Sequence, residues 1–164
     1  MQARLESWSN LKMLRIRLND SLKEAMKTNN RRAVSTLRLI LAALKERDIA
    51  HRTQEADEEG VGEEEILNLL QSMIKQRYDS IEAYNKGGRK DLADGEAEEI
   101  EIIKGFLPEQ MSEDAVEKVI HEVISISEAS SIKDMGKVMG ILRGKYSGRM
   151  DFGKVSALVK EKLS

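Results

Sequence analysis

Apolar residues recur at intervals of three or four positions along most of this chain, which is the spacing of amphipathic helices. The first series predicts a helix over about residues 13–27. Asn29 and Asn30 then end it and can cap a second helix that runs to about residue 51. The apolar positions are Leu14, Leu18, Leu22 and Met26 in the first helix and Val34, Leu37, Leu41 and Leu44 in the second.

A third long helix follows an acidic linker at residues 53–65 and is stopped by Gly87 and Gly88. A shorter helical segment lies between these glycines and Pro108, the only proline. Because the residue before a proline avoids helical geometry, Pro108 predicts a break between two units. The apolar positions are Ile66, Leu70, Met73, Ile74, Ile81 and Tyr84 in the long helix, then Leu92, Ile100, Ile103, Phe106 and Leu107.

Three further helices are predicted after this break. Each begins near a residue whose side chain suits a helix N-cap: Ser112, then Ser130 or Ser131, and then Asp151. These patterns predict an all-α fold. Its N-terminal helical domain of about four helices spans residues 13–108, and a C-terminal three-helix bundle spans residues 109–164. Residues 1–12 differ from the rest and are interpreted as an extension or an alternative start before Met13.

Composition narrows the chemistry that this chain can carry. It has no cysteine, which excludes disulfides, thiolate metal sites and a cysteine nucleophile and favours a reducing compartment. Its two histidines, His51 and His121, have no partner at ligand spacing, so no metal or other cofactor is expected. No apolar stretch approaches the roughly 18 residues of a membrane span, and no signal-peptide core is visible. A cytoplasmic location is therefore expected, or the mitochondrial matrix in a eukaryote.

Charge is strongly segregated along the chain, although the net value is only −2. Residues 13–52 carry ten Lys and Arg against four Asp and Glu, a balance of +6. Residues 53–132 have a balance of −14, and residues 133–164 one of +5. Either the basic ends pair with the acidic middle inside the molecule, or the basic C-terminal part is a surface for a polyanion.

One predicted helix carries a series of glycines, each costing about 1 kcal/mol relative to alanine. The series consists of Gly136, Gly140, Gly144 and Gly148, each four residues from the next. On a helical wheel the first three lie roughly 145° from the centre of the apolar stripe, with Arg143 and Lys137 on either side. This position favours an exposed strip of backbone that a phosphate can approach, with cations to neutralise it. Packing by another part of the protein, or helix termination at the last two glycines, is the alternative.

Two long segments resemble the GatB/YqeY family: "DMGKVMGILRGKYSGRMDFGKVSALVKEKL" and "GRKDLADGEAEEIEIIKGFLPEQMSE". The resemblance covers roughly residues 13–164 and points to the free-standing YqeY-like members. It implies that the C-terminal domain is similar to the tail of the B subunit of the tRNA-dependent amidotransferase. That enzyme converts glutamate or aspartate, mischarged on tRNA, to the amide, and its tail helps to hold the tRNA.

By this resemblance a tRNA-facing role is expected for Gly136, Lys137, Gly140, Arg143, Lys145, Gly148 and Arg149, with Lys133 and Lys154 as weaker candidates. The resemblance also implies a carbon–nitrogen ligase with glutamine as amide donor. Nothing in this chain matches the amidase subunit or the phosphorylating domain on which that activity depends. Basic residues of the N-terminal half are interpreted mostly as solvent-exposed, and some as extending an RNA footprint: Arg31, Arg32, Arg38 and Lys45.

No catalytic centre is visible in the sequence. The serines within residues 125–131 lie near Lys133 but lack the glycine-rich scaffold of a serine–lysine amidase, and are interpreted as loop and capping residues. The acidic clusters, Glu63 to Glu65 and Glu96, Glu98 and Glu99, are interpreted as first turns of helices rather than as Mg²⁺ ligands. No nucleotide-binding loop of the Walker type is present.

The sequence therefore predicts a helical adaptor that binds tRNA or another RNA, without its own catalytic centre. Expected protein partners are amidotransferase subunits or an aminoacyl-tRNA synthetase; neither a membrane nor a metal is expected. Two alternatives stay open. One is a component of an amide-transferring enzyme that is active only with its partners, and the other is a protein-interaction module whose glycine face docks a helix.

Overall fold

A computed structural model describes the backbone of residues 2–55 and 60–164 and the side chains of residues 14–53 and 60–164. These residues form seven α-helices and one short 3-10 turn, with no strand among them, so the all-helical prediction is confirmed. The helices are α1 (Gln2–Lys27), α2 (Arg31–Glu55), α3 (Glu63–Lys86), α4 (Lys90–Lys104), α5 (Glu113–Ile126), α6 (Met135–Tyr146) and α7 (Phe152–Leu163).

The first helix begins earlier than the sequence pattern predicted, at Gln2 rather than near Met13. The segment between them contains neither glycine nor proline, so nothing in it stops a helix. The interpretation of residues 1–12 as an extension concerns Met1 and side chains that lie outside the described part of the chain.

The chain divides into two compact units, Met1–Phe106 and Leu107–Ser164. Helices α1 to α4 belong to the first unit, and α3 and α4 pack closely against each other there. Its core is aliphatic and includes Leu18, Leu37, Ile40, Ile66, Leu70 and Ile103. Two predicted core residues, Met26 and Leu92, are exposed instead. On α4 the small residues Ala93 and Gly95 occupy buried positions, and Leu92 lies at the surface of the helix.

The second unit contains α5, α6 and α7 around a separate apolar core. Each of the three helices contributes to it at the predicted three- and four-residue spacing. The fully buried members are Ile120, Val138, Leu142, Val155 and Val159. The core of this unit is therefore built from its own three helices.

Helix caps lie where the sequence placed them. The Asn30 side chain accepts from the N–H of Ala33 at 3.1 Å, and the Ser112 hydroxyl accepts from the N–H of Ala115 at 3.2 Å. Asp151 accepts from the first-turn N–H groups of α7. Such caps contribute about 1 kcal/mol each and fix where a helix begins.

Candidate nucleic-acid interface

Helix α6 separates an apolar face from a bare glycine face. Val138, Met139 and Leu142 are buried in the core of the C-terminal unit. Opposite them are Gly136, Gly140 and Gly144, which we call the glycine face; a Cβ atom added to any of these three would meet no atom within 4 Å. The prediction that these glycines face away from the core of their own unit is therefore confirmed. A contacting group can come closer to this backbone than to any alanine-bearing helix.

The start of α6 is fixed by a capping box in the preceding 3-10 turn, Ile132–Asp134. The Asp134 carboxylate accepts from the backbone N–H of Ser130 at 3.0 Å and of Ser131 at 3.3 Å. These hydrogen bonds, the one from Ser130 first, hold the pKa of Asp134 below its ordinary value. Of the two serines that the sequence left open, Ser131 is the one that caps this turn, which leads directly into α6.

Cations lie on this helix and just before it. Lys133, Lys137, Arg143 and Lys145 are all exposed. The Lys137 ammonium donates to the carbonyl of Ser127, the C-cap of α5, at 3.1 Å. Lys137 therefore stabilises a helix end as well as carrying charge. Arg143 and Lys145 have no side-chain partner among the described residues, so their charges are available to a ligand.

The structure gives Gly148 and Arg149 a different setting from the glycine face. Gly148 is buried in the turn after α6 with φ of +75°, a conformation that favours glycine, and its carbonyl accepts from the Gln110 side chain at 2.6 Å. The Arg149 guanidinium donates to the carbonyl of Glu109 at 3.1 Å. Gly148 therefore lies just past the end of α6, as the alternative of helix termination predicted for it, whereas Gly144 lies inside the helix. Lys154 is exposed on a separate helix, in the first turn of α7.

The cations of residues 133–164 contrast with those of the N-terminal unit. None of these eight Lys and Arg residues forms an ion pair with a described carboxylate of its own unit. In the N-terminal unit, Arg32 lies 3.3 Å from Glu98 and 3.5 Å from Glu99. Pairing of the basic front with the acidic middle is therefore seen inside the first unit, and the basic end of the chain keeps unneutralised charge.

The remaining chemical candidates have structural roles. Ser112, Ser127 and Ser131 are helix caps. The acidic run Glu63 to Glu65 lies in the first turn of α3, as expected. The same interpretation is wrong for Glu96, Glu98 and Glu99, because they lie in the middle of α4 and the last two face arginines. Within the described residues no group of three or more His, Asp or Glu is placed to hold a metal ion.

Sequence reasoning missed one buried charge. Arg77 is almost wholly buried; its Nε donates to Glu99 at 2.9 Å and its Nη1 to the carbonyl of Met73 at 3.1 Å. The signal was present, since Arg77 continues the stripe of α3 four residues after Met73 and four before Ile81. A charged residue on an apolar stripe indicates a buried partner.

Comparisons with known proteins identify a family and several relatives. A model of the family described as "Yqey-like protein" matches residues 15–163. A relative from Clavispora lusitaniae, "Altered inheritance of mitochondria protein 41, mitochondrial", is 32% identical over 74% of this chain and 69% of its own length. The protein of the same name from Lachancea thermotolerans is 35% identical over 65% and 50%. The one from Pyrenophora tritici-repentis is 26% identical over 88% and 78%. In the described part of this chain, no helix has the length and apolarity to cross a membrane.

Proposed function

The chain belongs to the YqeY-like protein family, and from this membership and the open glycine face we propose that it is an RNA-binding helical adaptor. Its ligand is tRNA, and it acts beside tRNA-dependent amidation or aminoacyl-tRNA metabolism without a catalytic centre of its own. The C-terminal domain, residues 109–164, binds the RNA, and the domain at residues 13–108 holds the remaining partners.

The glycine face is the observation that carries this proposal. Gly136, Gly140 and Gly144 leave a strip of helix backbone roughly 12 Å long without side chains. In a helix this arrangement costs stability, so a contribution to binding accounts for it where packing does not. A sugar–phosphate backbone suits such a strip because it is itself narrow and is recognised through charge rather than through side-chain pockets.

The neighbouring cations supply the charge. Arg143 and Lys145 are exposed and unpaired among the described side chains, and Lys133 lies one turn before the strip. We assign these three residues to phosphate contacts. Lys137 contributes charge while it caps α5, and Gly148 and Arg149 act indirectly because they hold the turn that follows α6.

The names of the relatives, which include the word mitochondrial, support a mitochondrial compartment. We propose the mitochondrial matrix as the place of action if this chain comes from a eukaryote, and the cytoplasm if it does not. Both compartments contain tRNA and the enzymes that charge it.

The experiment measures the affinity of the full chain for transcribed tRNA at several salt concentrations. The test variant combines Arg143→Glu with Lys145→Glu. Its control combines Lys75→Glu with Lys118→Glu, two exposed lysines on α3 and α5, so the two variants have the same net charge. Each lost phosphate contact should make the logarithmic salt dependence shallower by about 0.7 to 0.9.

We expect the test variant to lose about tenfold or more in affinity for tRNA. Its logarithmic salt dependence should become shallower by the equivalent of up to two phosphate contacts, and the control should change much less. Equal losses in both variants would mean that only net charge matters and would contradict an RNA site on α6. Glutamine-dependent ammonia release by the purified chain would instead identify an enzyme. A complex with a protein that survives nuclease, together with no tRNA affinity, would identify a protein-interaction module.

A further inference from the structure

A second surface feature lies in the N-terminal unit, where the end of α1 meets the start of α2. An open groove of about 700 Å³ is lined there by Met26, Asn29, Arg31, Val34, Ser35, Arg38 and Leu39. We call it the α1–α2 groove. The α2 residues recur at intervals of three and four and so form one face of that helix, pointing away from the buried stripe of Leu37 and Ile40.

The floor of the groove is apolar and uncovered. Met26 and Leu39 are each 51% exposed although both lie within helices, and Val34 in the same lining is half-buried. Sequence periodicity assigned Met26 to the core, and the structure places it on this surface. Exposed methionine and leucine side chains grouped around a concavity are typical of surfaces that receive apolar side chains from a partner.

The rim of the groove is basic. Arg31 and Arg38 are seven residues apart on α2, which separates their backbones by roughly 10 Å along the helix. Neither forms an ion pair or a hydrogen bond with a described side chain, unlike Arg32 next to them, which faces Glu98 and Glu99. Both arginines belong to residues 13–52, the segment with a balance of +6, and no described carboxylate neutralises either of them.

We propose that the α1–α2 groove docks an acidic amphipathic helix of a partner protein. Apolar side chains at three- and four-residue spacing enter between Met26 and Leu39, and carboxylates flanking them pair with Arg31 and Arg38. Helix-in-groove recognition uses this combination of a linear apolar anchor and charges at the edges. Arginine and methionine are also enriched where proteins meet.

The lining favours a protein over RNA as the occupant. Single-stranded RNA is held by aromatic side chains on which bases stack, and none of the seven lining residues is aromatic. Phosphates gain nothing from an apolar floor, whereas a helix with leucine-like anchors buries that floor. The groove lies in the N-terminal unit and the glycine face in the C-terminal unit. This inference therefore goes beyond the RNA-binding proposal and does not depend on it.

The test uses the intact chain as bait for a displayed library of random peptides. We expect the enriched peptides to carry apolar residues three and four apart with Asp or Glu beside them. Leu39→Glu should weaken the binding of a selected peptide about tenfold or more. The matched control is Ile49→Glu, because Ile49 is 52% exposed on the same helix but outside the groove, and it should leave the affinity unchanged.

Charge reversal gives the second arm of the test. The double variant Arg31→Glu with Arg38→Glu should bind the acidic peptide more weakly than the wild type does. It should bind more tightly the counterpart peptide in which every acidic residue is replaced by lysine. Both arginines are exposed and unpaired among the described residues, so the variant should keep the wild-type circular dichroism spectrum.

Four results would overturn the proposal. The first is a library that yields no enriched peptide, and the second is a set of peptides that bind the Leu39→Glu and Ile49→Glu variants equally. The third is loss of tRNA affinity, rather than of peptide affinity, on reversing the two arginines, which would assign the groove to RNA. The fourth is a concentration-dependent dimer in analytical ultracentrifugation that Leu39→Glu dissociates, which would make a second copy of this chain the occupant.

Discussion

The two compact units differ in their ion pairs, since every pair between described residues lies in the N-terminal unit. In the N-terminal unit, Arg15, Arg32 and Arg77 each contact carboxylates and tie helices together. In the C-terminal unit, Arg143 and Lys145 extend from α6 without a described partner. The first three cations therefore stabilise the fold, whereas the last two leave charge for a ligand.

The glycines show the same contrast. Gly95 lies in the middle of α4, and a Cβ added there would lie 3.1 Å from the Arg32 guanidinium. Its lack of a side chain is explained by close packing against an arginine that pairs with Glu98 and Glu99. Gly140 lies in the middle of α6, and a Cβ added there would meet nothing within 4 Å. Where an added Cβ would press on another side chain, close packing explains the glycine. Where it would meet nothing, the explanation lies outside the glycine's own unit.

Removal of a buried arginine should give the largest effect on stability. Arg77→Ala should lower the free energy of unfolding of the N-terminal unit by about 2 to 3 kcal/mol, because it removes the closer of the two arginines that pair with the nearly buried Glu99. Arg143→Ala, on the open face, should change stability by less than about 0.5 kcal/mol and should weaken tRNA binding. Chemical denaturation followed by circular dichroism measures both variants. Similar losses of stability would remove the distinction between the units.

The Arg15–Asp48 pair should give an intermediate effect that depends on pH. Arg15 donates to both Asp48 oxygens, at 2.7 and 2.8 Å, and its side-chain hydrogen bond holds the pKa of Asp48 below the ordinary 3.8. A lowered pKa in the folded state means that the stabilisation is present above pH 3.8 and is lost as the pH falls below it. Asp48→Asn should therefore cost about 1 to 2 kcal/mol at neutral pH and less at more acidic pH. Unfolding measured across this range should show the two proteins converge, and a constant difference would contradict the assignment.

Replacing Gly140 or Gly95 by alanine should give the smallest change in stability and the one that best separates the two glycines. Gly140→Ala should raise the free energy of unfolding by about 0.5 to 1 kcal/mol, because helix propensity improves and the added methyl group meets nothing. Gly95→Ala gains the same propensity but presses on the Arg32 guanidinium, so its net effect should be near zero or destabilising. Thermal unfolding of the two variants tests this, and equal stabilisation would show that Gly95 is not explained by Arg32.

Much of the fold followed from local patterns. Apolar spacing, the caps at Asn30, Ser112 and Asp151, and the glycines that stop α3 act within a few residues, so they can be read along the chain. The outward direction of the glycine face was predicted in the same way, because the rotation of an amphipathic helix follows from its own apolar stripe.

The features that sequence reasoning missed depend on distant contacts. The partner of Arg77 is 22 residues away on another helix, and Gly148 is held by a side chain 38 residues before it. The α1–α2 groove forms because two helix ends meet and leave Met26 without cover. None of these pairings has a local period, so only the three-dimensional fold reveals them.

The binding of tRNA to Gly140→Leu tests the central claim most directly. The leucine side chain would block the glycine face while a helix-favouring residue replaces glycine, so the melting temperature should stay the same or rise. The control Ser125→Leu places the same side chain at an exposed position on α5. We predict that Gly140→Leu weakens tRNA binding by about tenfold or more and that the control does not. A folded Gly140→Leu variant that binds tRNA as the wild type does would contradict an RNA site on this face.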